Sequence, residues 1–436
     1  MAAVSSCPGA AAGAALRMGN RPAGGLLGGS ALLLVTLNLA NALHFAFHIA
    51  MARLLGPAGY GALSALLAIL YVLNVFAESV QTVLARYASR EEAPGRLHDL
   101  LRRGLRKGGR ATLAMAAVYL AAALPLGRWL RIPYGLMALF GLSLVGVGLL
   151  PVLRGVLQGR KRFGALGMNM IWEVLAKLVI GVGLVWAGAG EYGAVAGVAL
   201  GFAFAFALAF APLRDLFQAP AERAEALDVY RYSLPVFVVT ATVMGFYSLD
   251  VLLARAFFSA EAAGGYAVAS FLGKAILLGT APVTKAAFPH SATGDSRARR
   301  RVLAGTLGLL ALCVAPVMAA FAMVPELLVR GMGGKGYAGA AGLVLPLGIA
   351  MALMAFSNAL LLYRLSLGRV RLYALLPVLI PLEAAALALF RGSPVDFAWA
   401  VAGMNGVFFL VAAGVAALSS PRRYSPGPAA PPPASA

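Results

Sequence analysis

The residues that could carry chemistry in this chain are a few ionisable side chains within long apolar runs. Lys274 lies about ten residues into the run 264–288, and no acidic residue lies three or four positions away. A charged side chain near the centre of a bilayer costs at least about 2.5–3.5 kcal/mol, which makes such a residue a functional candidate. Lys274 is the strongest single candidate, either for binding an anion or for pairing with Glu78 or Asp250 on another helix.

Three further cations lie near the ends of apolar runs. Arg53 follows the first run, Arg255 follows the seventh, and Lys285 lies near the end of the eighth. They are candidates for flanking a cavity. Long cationic side chains at the end of a membrane helix also reach the polar interface, so interfacial anchoring is the alternative for all three.

Acidic residues within the runs have two interpretations. Glu173 and Lys177 are spaced i, i+4, which places them on one helix face and predicts an intramembrane pair. Glu78, Asp250 and Glu383 have no such local partner. Each could carry a coupling proton or bind sodium, or could form a bridge to a neighbouring helix. Glu383 ranks last because it lies in the eleventh run, away from the expected cavity.

Two histidines stand four residues apart in the first run. His44 and His48 could share a metal, but no third ligand is visible, so we predict neither a metal site nor a cofactor. A role for His48 in a proton-coupled step is an alternative to plain polar contacts. Cys7 and Cys313 are too few for a disulfide framework, and we predict that both are inert.

The elements that position these residues follow from composition. Of the 436 residues, 61% are hydrophobic and only 12% are charged, against about 45–50% and 25% in soluble domains. A soluble enzyme is therefore excluded. The chain contains no Gly-rich phosphate loop or nucleophile triad, and we predict a non-enzymatic protein. The net charge of +20 lies around apolar runs, so no nucleic-acid partner is predicted.

Twelve apolar runs are long enough to cross a membrane, which needs about 20 residues each. They predict an all-α polytopic membrane protein with the spans 27–50, 59–85, 111–127, 135–156, 167–188, 193–213, 232–252, 264–288, 302–324, 337–362, 372–390 and 397–418.

The basic residues predict the orientation of these spans. With the N-terminus in the cytoplasm, 26 Lys and Arg residues fall in inner segments, seven in outer segments and three within spans. This asymmetry favours both termini inside and explains most of the net charge. The basic connection 86–110 could also attract anionic membrane lipids, although topology already accounts for it.

The two halves of the chain resemble each other. Segment 52–64 is echoed at 254–270, and 159–162 (GRKR) at 368–371 (GRVR), at nearly equal offsets. Six spans per half give both halves the same topology, related by a pseudo-two-fold axis along the membrane normal. We predict an N-lobe at 26–213, a linker at 214–231 and a C-lobe at 232–420, between disordered tails at 1–25 and 421–436.

Several motifs resemble bacterial oligosaccharide and polysaccharide flippases of the multidrug/oligosaccharidyl-lipid/polysaccharide exporter superfamily. They extend over both halves of the chain and are ARLLGPAGYGALS (52–64), VQTVLARYAS (80–89), RYSLP (231–235), SLDVLLARAFF (248–258) and AGGYAVASFLGK (263–274). The resemblance implies two six-helix lobes arranged as a V around a central cavity, lined mainly by spans 1, 2, 7 and 8. Without two additional C-terminal helices, the lipid II flippase branch is less expected.

The resemblance also implies a cargo and a location. The cargo would be an oligosaccharide linked to polyprenyl pyrophosphate, flipped from the inner to the outer leaflet of the bacterial plasma membrane by a monomer. Lys274, Arg53, Arg255 and Lys285 would bind the pyrophosphate, and H⁺ or Na⁺ could drive transport. The alternative within the superfamily is a multidrug or organic-cation antiporter. A membrane glycosyltransferase is disfavoured because the outer loops are short.

Overall fold

The computed structural model describes residues 23–91, 93–222, 230–292, 296–366 and 371–417, and throughout these residues the regular structure is helical. The predicted tail 421–436, most of the tail 1–25 and Cys7 lie outside the described residues. The α-helices, numbered in chain order, are α1 (Ala23–Ala88), α2 (Pro94–Leu130), α3 (Tyr134–Gly141), α4 (Ser143–Gly159), α5 (Phe163–Leu184), α6 (Gly190–Phe210), α7 (Arg214–Gln218), α8 (Tyr230–Phe257), α9 (Ala260–Ala292), α10 (Ser296–Met323), α11 (Pro325–Gly333), α12 (Ala341–Ser366), α13 (Leu379–Leu389) and α14 (Pro394–Ala417).

The first helical element contains two membrane passes joined at a kink. Gly56 has a φ of 67°, a left-handed conformation that glycine adopts at little cost, and Pro57 follows it. A proline lacks the backbone N–H and clashes with the preceding turn, so the helix changes direction there. The predicted spans 27–50 and 59–85 therefore lie on either side of this kink.

The predicted connection 86–110 is largely helical. Helix α2 begins at Pro94, and its first turns bury an apolar face that contains Leu97, Leu100 and Leu101. Most of the basic residues of these turns are exposed on the other face. Hydropathy averaged over a window missed this helix because charge and apolar residues alternate at helical spacing.

The membrane passes agree with the predicted architecture. Among the described residues, nine segments are apolar and long enough to cross a membrane, and two of them, Val35–Ala88 and Phe163–Gln218, are long enough for two passes each. The shorter apolar helix Leu375–Leu389 is compatible with a twelfth pass. The prediction of an all-α polytopic membrane protein is confirmed.

Helix packing within this bundle follows the two predicted lobes. In the N-lobe, α1 packs on α4 and α5, and α5 packs on α6; in the C-lobe, α12 packs on α9 and α14. The lobes meet where α1 packs against α8 and α9. Tyr60 of α1 and Tyr266 of α9, which match in the internal repeat, are both fully buried close to this interface. The repeat therefore places its two copies at the junction between the lobes.

Candidate functional site

Lys274 is buried in α9 and engages Asp250 of α8. Its Nζ lies 3.3 Å from Asp250 Oδ1 and 4.7 Å from the centre of the Tyr247 ring. Tyr266 and Ser270 donate hydrogen bonds to Asp250 Oδ2, at 3.2 and 2.7 Å. This acid is thus held by three donors in the C-lobe. Of the two interpretations of Lys274, the structure shows the pairing with Asp250.

A continuous chain of hydrogen bonds occupies the N-lobe side of the same interface. Lys177 Nζ donates to His44 Nδ1 at 2.8 Å, and His44 Nε2 lies 3.0 Å from the hydroxyl of Tyr71. That hydroxyl lies 3.4 Å from His48 Nε2, and His48 Nδ1 lies 3.0 Å from the hydroxyl of Tyr60. Because a charged Lys177 can only donate, His44 must accept at Nδ1 and donate at Nε2. Each group in the chain then donates its hydrogen bond to the next one, from Lys177 to Tyr60.

The two polar clusters touch each other across the lobe interface. His48 stacks on Phe271 of α9 with ring centres 3.7 Å apart, and Tyr71 meets the edge of Tyr247 of α8 at 5.4 Å. A cavity of about 20 Å³ remains between them, and Lys274 lines it. This volume holds about one water molecule. A larger ligand can enter only after the lobes separate.

Glu383 lies buried in α13. It is fully inaccessible, and neither carboxylate oxygen has a hydrogen-bond partner in the part of the chain that the structure describes. The residue that ranked last from sequence is thus a fully buried carboxyl group of the C-lobe. Within the described residues, no group of three or more His, Cys, Asp or Glu side chains is placed to hold a metal ion.

The predicted pair of Glu173 and Lys177 is not formed. Glu173 instead accepts from Arg154 of α4 at 2.7 Å, while Lys177 donates to His44. Arg154 lies near the end of the predicted span 135–156, and its side chain is only 10% exposed. Its Nε also donates to Asn169 Oδ1 at 2.8 Å. The signal that could have identified Arg154 is its place within an apolar stretch that continues past it.

Arg53 and Arg255 lie away from the buried clusters, at the predicted outer end of the bundle. Arg255 is 7% exposed and donates to the carbonyl oxygens of Leu130 and Arg131 in the N-lobe, both at 3.1 Å. Arg53 is exposed and donates to the carbonyl oxygen of Gly331 in the C-lobe. Both arginines therefore hold backbone of the opposite lobe.

The remaining two candidates are Glu78 and Lys285. Glu78 is exposed on α1 and lines a separate cavity within the N-lobe. The backbone of Lys285 belongs to α9, but its side chain lies outside the described residues. The structure thus assembles Lys274, Asp250, Lys177 and His48 in one place and leaves Glu78 apart from them.

Comparison with known proteins assigns the chain to a family. The model of the family described as "Polysaccharide biosynthesis protein" matches residues 27–294, more than half of the sequence. The chain belongs to this family. A search of curated protein sequences finds no significant match to this polysaccharide biosynthesis family member.

Solved structures show the fold of this polysaccharide biosynthesis protein. The lipid II flippase MurJ in an inward closed conformation is 11% identical, with a TM-score of 0.69 over 88% of this chain and 87% of that one. An inward-facing multidrug resistance MATE transporter of the MOP superfamily is 14% identical, with a TM-score of 0.70 over 87% and 94%. A eukaryotic MATE transporter is 14% identical, with a TM-score of 0.63 over 91% and 97%. The chain has the fold of these membrane transporters.

Proposed function

We propose that this protein flips an oligosaccharide linked to polyprenyl pyrophosphate, a precursor of cell-surface polysaccharide, from the inner to the outer leaflet by alternating access. The observation that carries the proposal is a pair of buried ammonium groups, Lys177 from the N-lobe and Lys274 from the C-lobe. Lys177 is linked to His48 through His44 and Tyr71, and His48 lines the same small cavity as Lys274. Family membership adds that the chain works in polysaccharide biosynthesis.

The two lysines are suited to an anionic group that arrives when the lobes part. A lysine ammonium has three donors, and Lys274 uses one on Asp250. A pyrophosphate would draw Lys274 towards it and would receive charge-assisted hydrogen bonds, which are about twice as strong as neutral ones. Closure of both lobes around the phosphate would couple cargo binding to the conformational change of alternating access. Arg53 and Arg255 then serve the outer end of the pathway rather than the phosphate.

A second candidate function is the export of organic cations by antiport. Asp250 and Glu383 favour it, because both carboxylates are buried and Glu383 has no hydrogen-bond partner among the described residues. A cation would replace Lys274 as the partner of Asp250. The MATE-type fold is compatible with both candidates, since the resemblance in structure does not specify a cargo.

The chain Lys177–His44–Tyr71–His48–Tyr60 supports a proton as coupling ion. Every link is a group that can both accept and donate once a proton moves, and the chain runs from α5 to the lobe interface. His48 lines the same cavity as Lys274, so an anion bound there would offset the repulsion between that ammonium group and a proton entering the chain. Sodium, which would use Asp250 and Glu383, is the alternative ion.

The test uses the full chain in liposomes with a fluorescent polyprenyl-pyrophosphate disaccharide and a membrane-impermeant quencher. We expect wild type to move the lipid and Lys274→Met to move it at least tenfold more slowly. Lys335→Met, a change of an exposed lysine in an outer segment, is the control and should match wild type.

Two outcomes would contradict the proposal in different ways. If wild type moves no lipid-linked saccharide but exports tetraphenylphosphonium, the organic-cation function is correct. If wild type flips the lipid and Lys274→Met does so equally well, the flippase stands and the assignment of Lys274 is wrong. We further expect a monomer in the bacterial plasma membrane with both termini in the cytoplasm. Cysteine labelling of each terminus would check the orientation.

A further inference from the structure

A second, larger cavity lies within the N-lobe, apart from the lysine clusters. Its volume is about 560 Å³, within the range of small-molecule binding sites. Its walls come from four helices and combine polar with apolar side chains: Leu37, Asn74, Ala77, Glu78, Gln81 and Thr82 of α1; Gly146, Val147, Leu150, Pro151, Arg154 and Gln158 of α4; Leu166, Met170 and Glu173 of α5; and Phe202 of α6. One side opens past Glu78 and Thr82, which are exposed.

The polar wall of this cavity is held in place by its own hydrogen bonds. Arg154 is fixed by Glu173 at 2.7 Å and by Asn169 at 2.8 Å, and Asn169 in turn donates to the carbonyl oxygen of Ala205. One turn beyond Arg154 on the same helix, Gln158 Oε1 accepts a hydrogen bond from Gln81 Nε2 at 2.9 Å. Polar groups inside a membrane lobe are costly unless satisfied, so this arrangement presents donors and acceptors in fixed directions.

The charge of the wall selects among ligand classes. The guanidinium of Arg154 is paired with Glu173, so it offers a pyrophosphate no uncompensated positive charge. A wholly apolar chain would make no hydrogen bonds with the amides of Gln81 and Gln158 or with the Arg154–Glu173 pair. Hydroxyl groups, which donate to carboxylates and accept from amides and guanidinium, match this set.

The N-lobe cavity lies close in sequence and space to Lys177, one of the two lysines at the lobe interface. Glu173, in the cavity wall, precedes Lys177 by four residues on α5, about one helical turn of 5.4 Å. A cargo whose phosphates lay beside the central lysines would have its adjoining sugars close to this wall.

We propose that this N-lobe cavity binds the saccharide part of the cargo through Arg154, the Gln81–Gln158 amide pair and the neighbouring carboxylates. The proposal rests on the proposed flippase function. It assigns the two chemical parts of the cargo to two places: phosphates to the lobe interface, and sugar hydroxyls to the N-lobe. Phe202 and Leu150 supply apolar surface for the faces of sugar rings.

Saturation-transfer NMR on the full-length protein in nanodiscs tests this assignment with soluble probes. The probes are lactose, maltose and N,N′-diacetylchitobiose, with inorganic pyrophosphate measured separately. The main variant is Gln81→Leu with Gln158→Leu. Replacing both partners of a hydrogen bond by apolar groups of similar shape is nearly neutral for folding, so the variant should remain intact. The control is Lys335→Met, at an exposed lysine outside both sites.

We expect wild type and Lys335→Met to bind at least one disaccharide, and the double leucine variant to bind it at least tenfold more weakly. Pyrophosphate binding should be equal in all three proteins. The inference is overturned if wild type binds none of the three disaccharides, or if the double variant binds as well as wild type. Displacement of the sugar signal by tetraphenylphosphonium in the same cavity would instead identify an organic-cation site.

These outcomes are separate from those of the flippase assay. If lipid transport requires Lys274 but no disaccharide binds, the proposed function stands and the sugar site fails. If the disaccharides bind as expected but no lipid is moved, the cavity is a saccharide site and the proposed function fails.

Discussion

Arg255 of the C-lobe and Arg53 of the N-lobe, which correspond in the internal repeat, each donate a hydrogen bond to backbone of the opposite lobe. Arg255 reaches the segment between α2 and α3, and Arg53 reaches the end of α11. Further inter-lobe bonds run from Tyr337 to the carbonyl oxygen of Ala52 at 2.8 Å and from Arg131 to that of Phe258 at 3.4 Å. The predicted outer end is therefore closed by reciprocal contacts.

Removing the Arg255 side chain should open this end more often. Its bonds to Leu130 and Arg131 together contribute about 1–3 kcal/mol, or roughly a five- to hundredfold change in the ratio of closed to open protein. In Arg255→Gln, we expect faster labelling of a cysteine placed at the buried Ala267 by an impermeant maleimide added outside. Cys7 and Cys313 are replaced by serine beforehand. Arg128→Gln, at an exposed arginine of the same end, should label as slowly as the parent.

Gly264 should be required for the same closure. A Cβ at this position would lie 1.9 Å from the carbonyl oxygen of Pro57, a backbone atom that cannot move aside by itself. Gly264→Ala is expected to force the lobes apart at the outer end and to increase labelling at position 267. The neighbouring Gly265→Ala meets only Ala340 at 3.4 Å, an ordinary contact, and serves as the control. Equal labelling of the two variants would show that closure of the lobes does not require the close contact between Gly264 and Pro57.

Asp250 should stabilise the C-lobe through Lys274. Asp250→Asn leaves a buried ammonium without its carboxylate, and breaking such a pair typically costs about 3–5 kcal/mol. We expect a clearly lower Tm for the solubilised protein, partly restored by adding Lys274→Met. Asp215→Asn, which removes an exposed partner of Arg160, should cost under about 1 kcal/mol. A Tm for Asp250→Asn equal to that of Asp215→Asn would mean that the buried pair contributes no stability.

Tyr71 should be needed for proton coupling but less for binding. Tyr71→Phe removes the hydroxyl that joins His44 to His48 and so interrupts the chain in its middle. In liposomes with an imposed pH gradient, we expect the gradient-dependent part of transport to disappear while transport without a gradient persists. Tyr363→Phe is the control outside the chain. Retention of the full response to the gradient in Tyr71→Phe would exclude this route for the proton.

Much of the architecture could be predicted from the sequence because the membrane spans depend on hydropathy averaged along the chain. The orientation inferred from the basic residues stays a prediction. The segment 86–110 shows the limit of averaged hydropathy, since the burial of its helix depends on which face packs against the N-lobe. The burial of Lys274 could also be predicted, because an isolated cation within an apolar run is visible without a structure.

By itself, the sequence determined the membrane passes, the repeat and the few side chains that could carry charge within the bilayer. The tertiary structure alone decided their partners. Spacing on α5 predicted that Glu173 would neutralise Lys177, yet each contacts a different helix, at Arg154 and at His44. Burial favours whichever pairing satisfies the most donors and acceptors, and that choice depends on how helices far apart in sequence pack together.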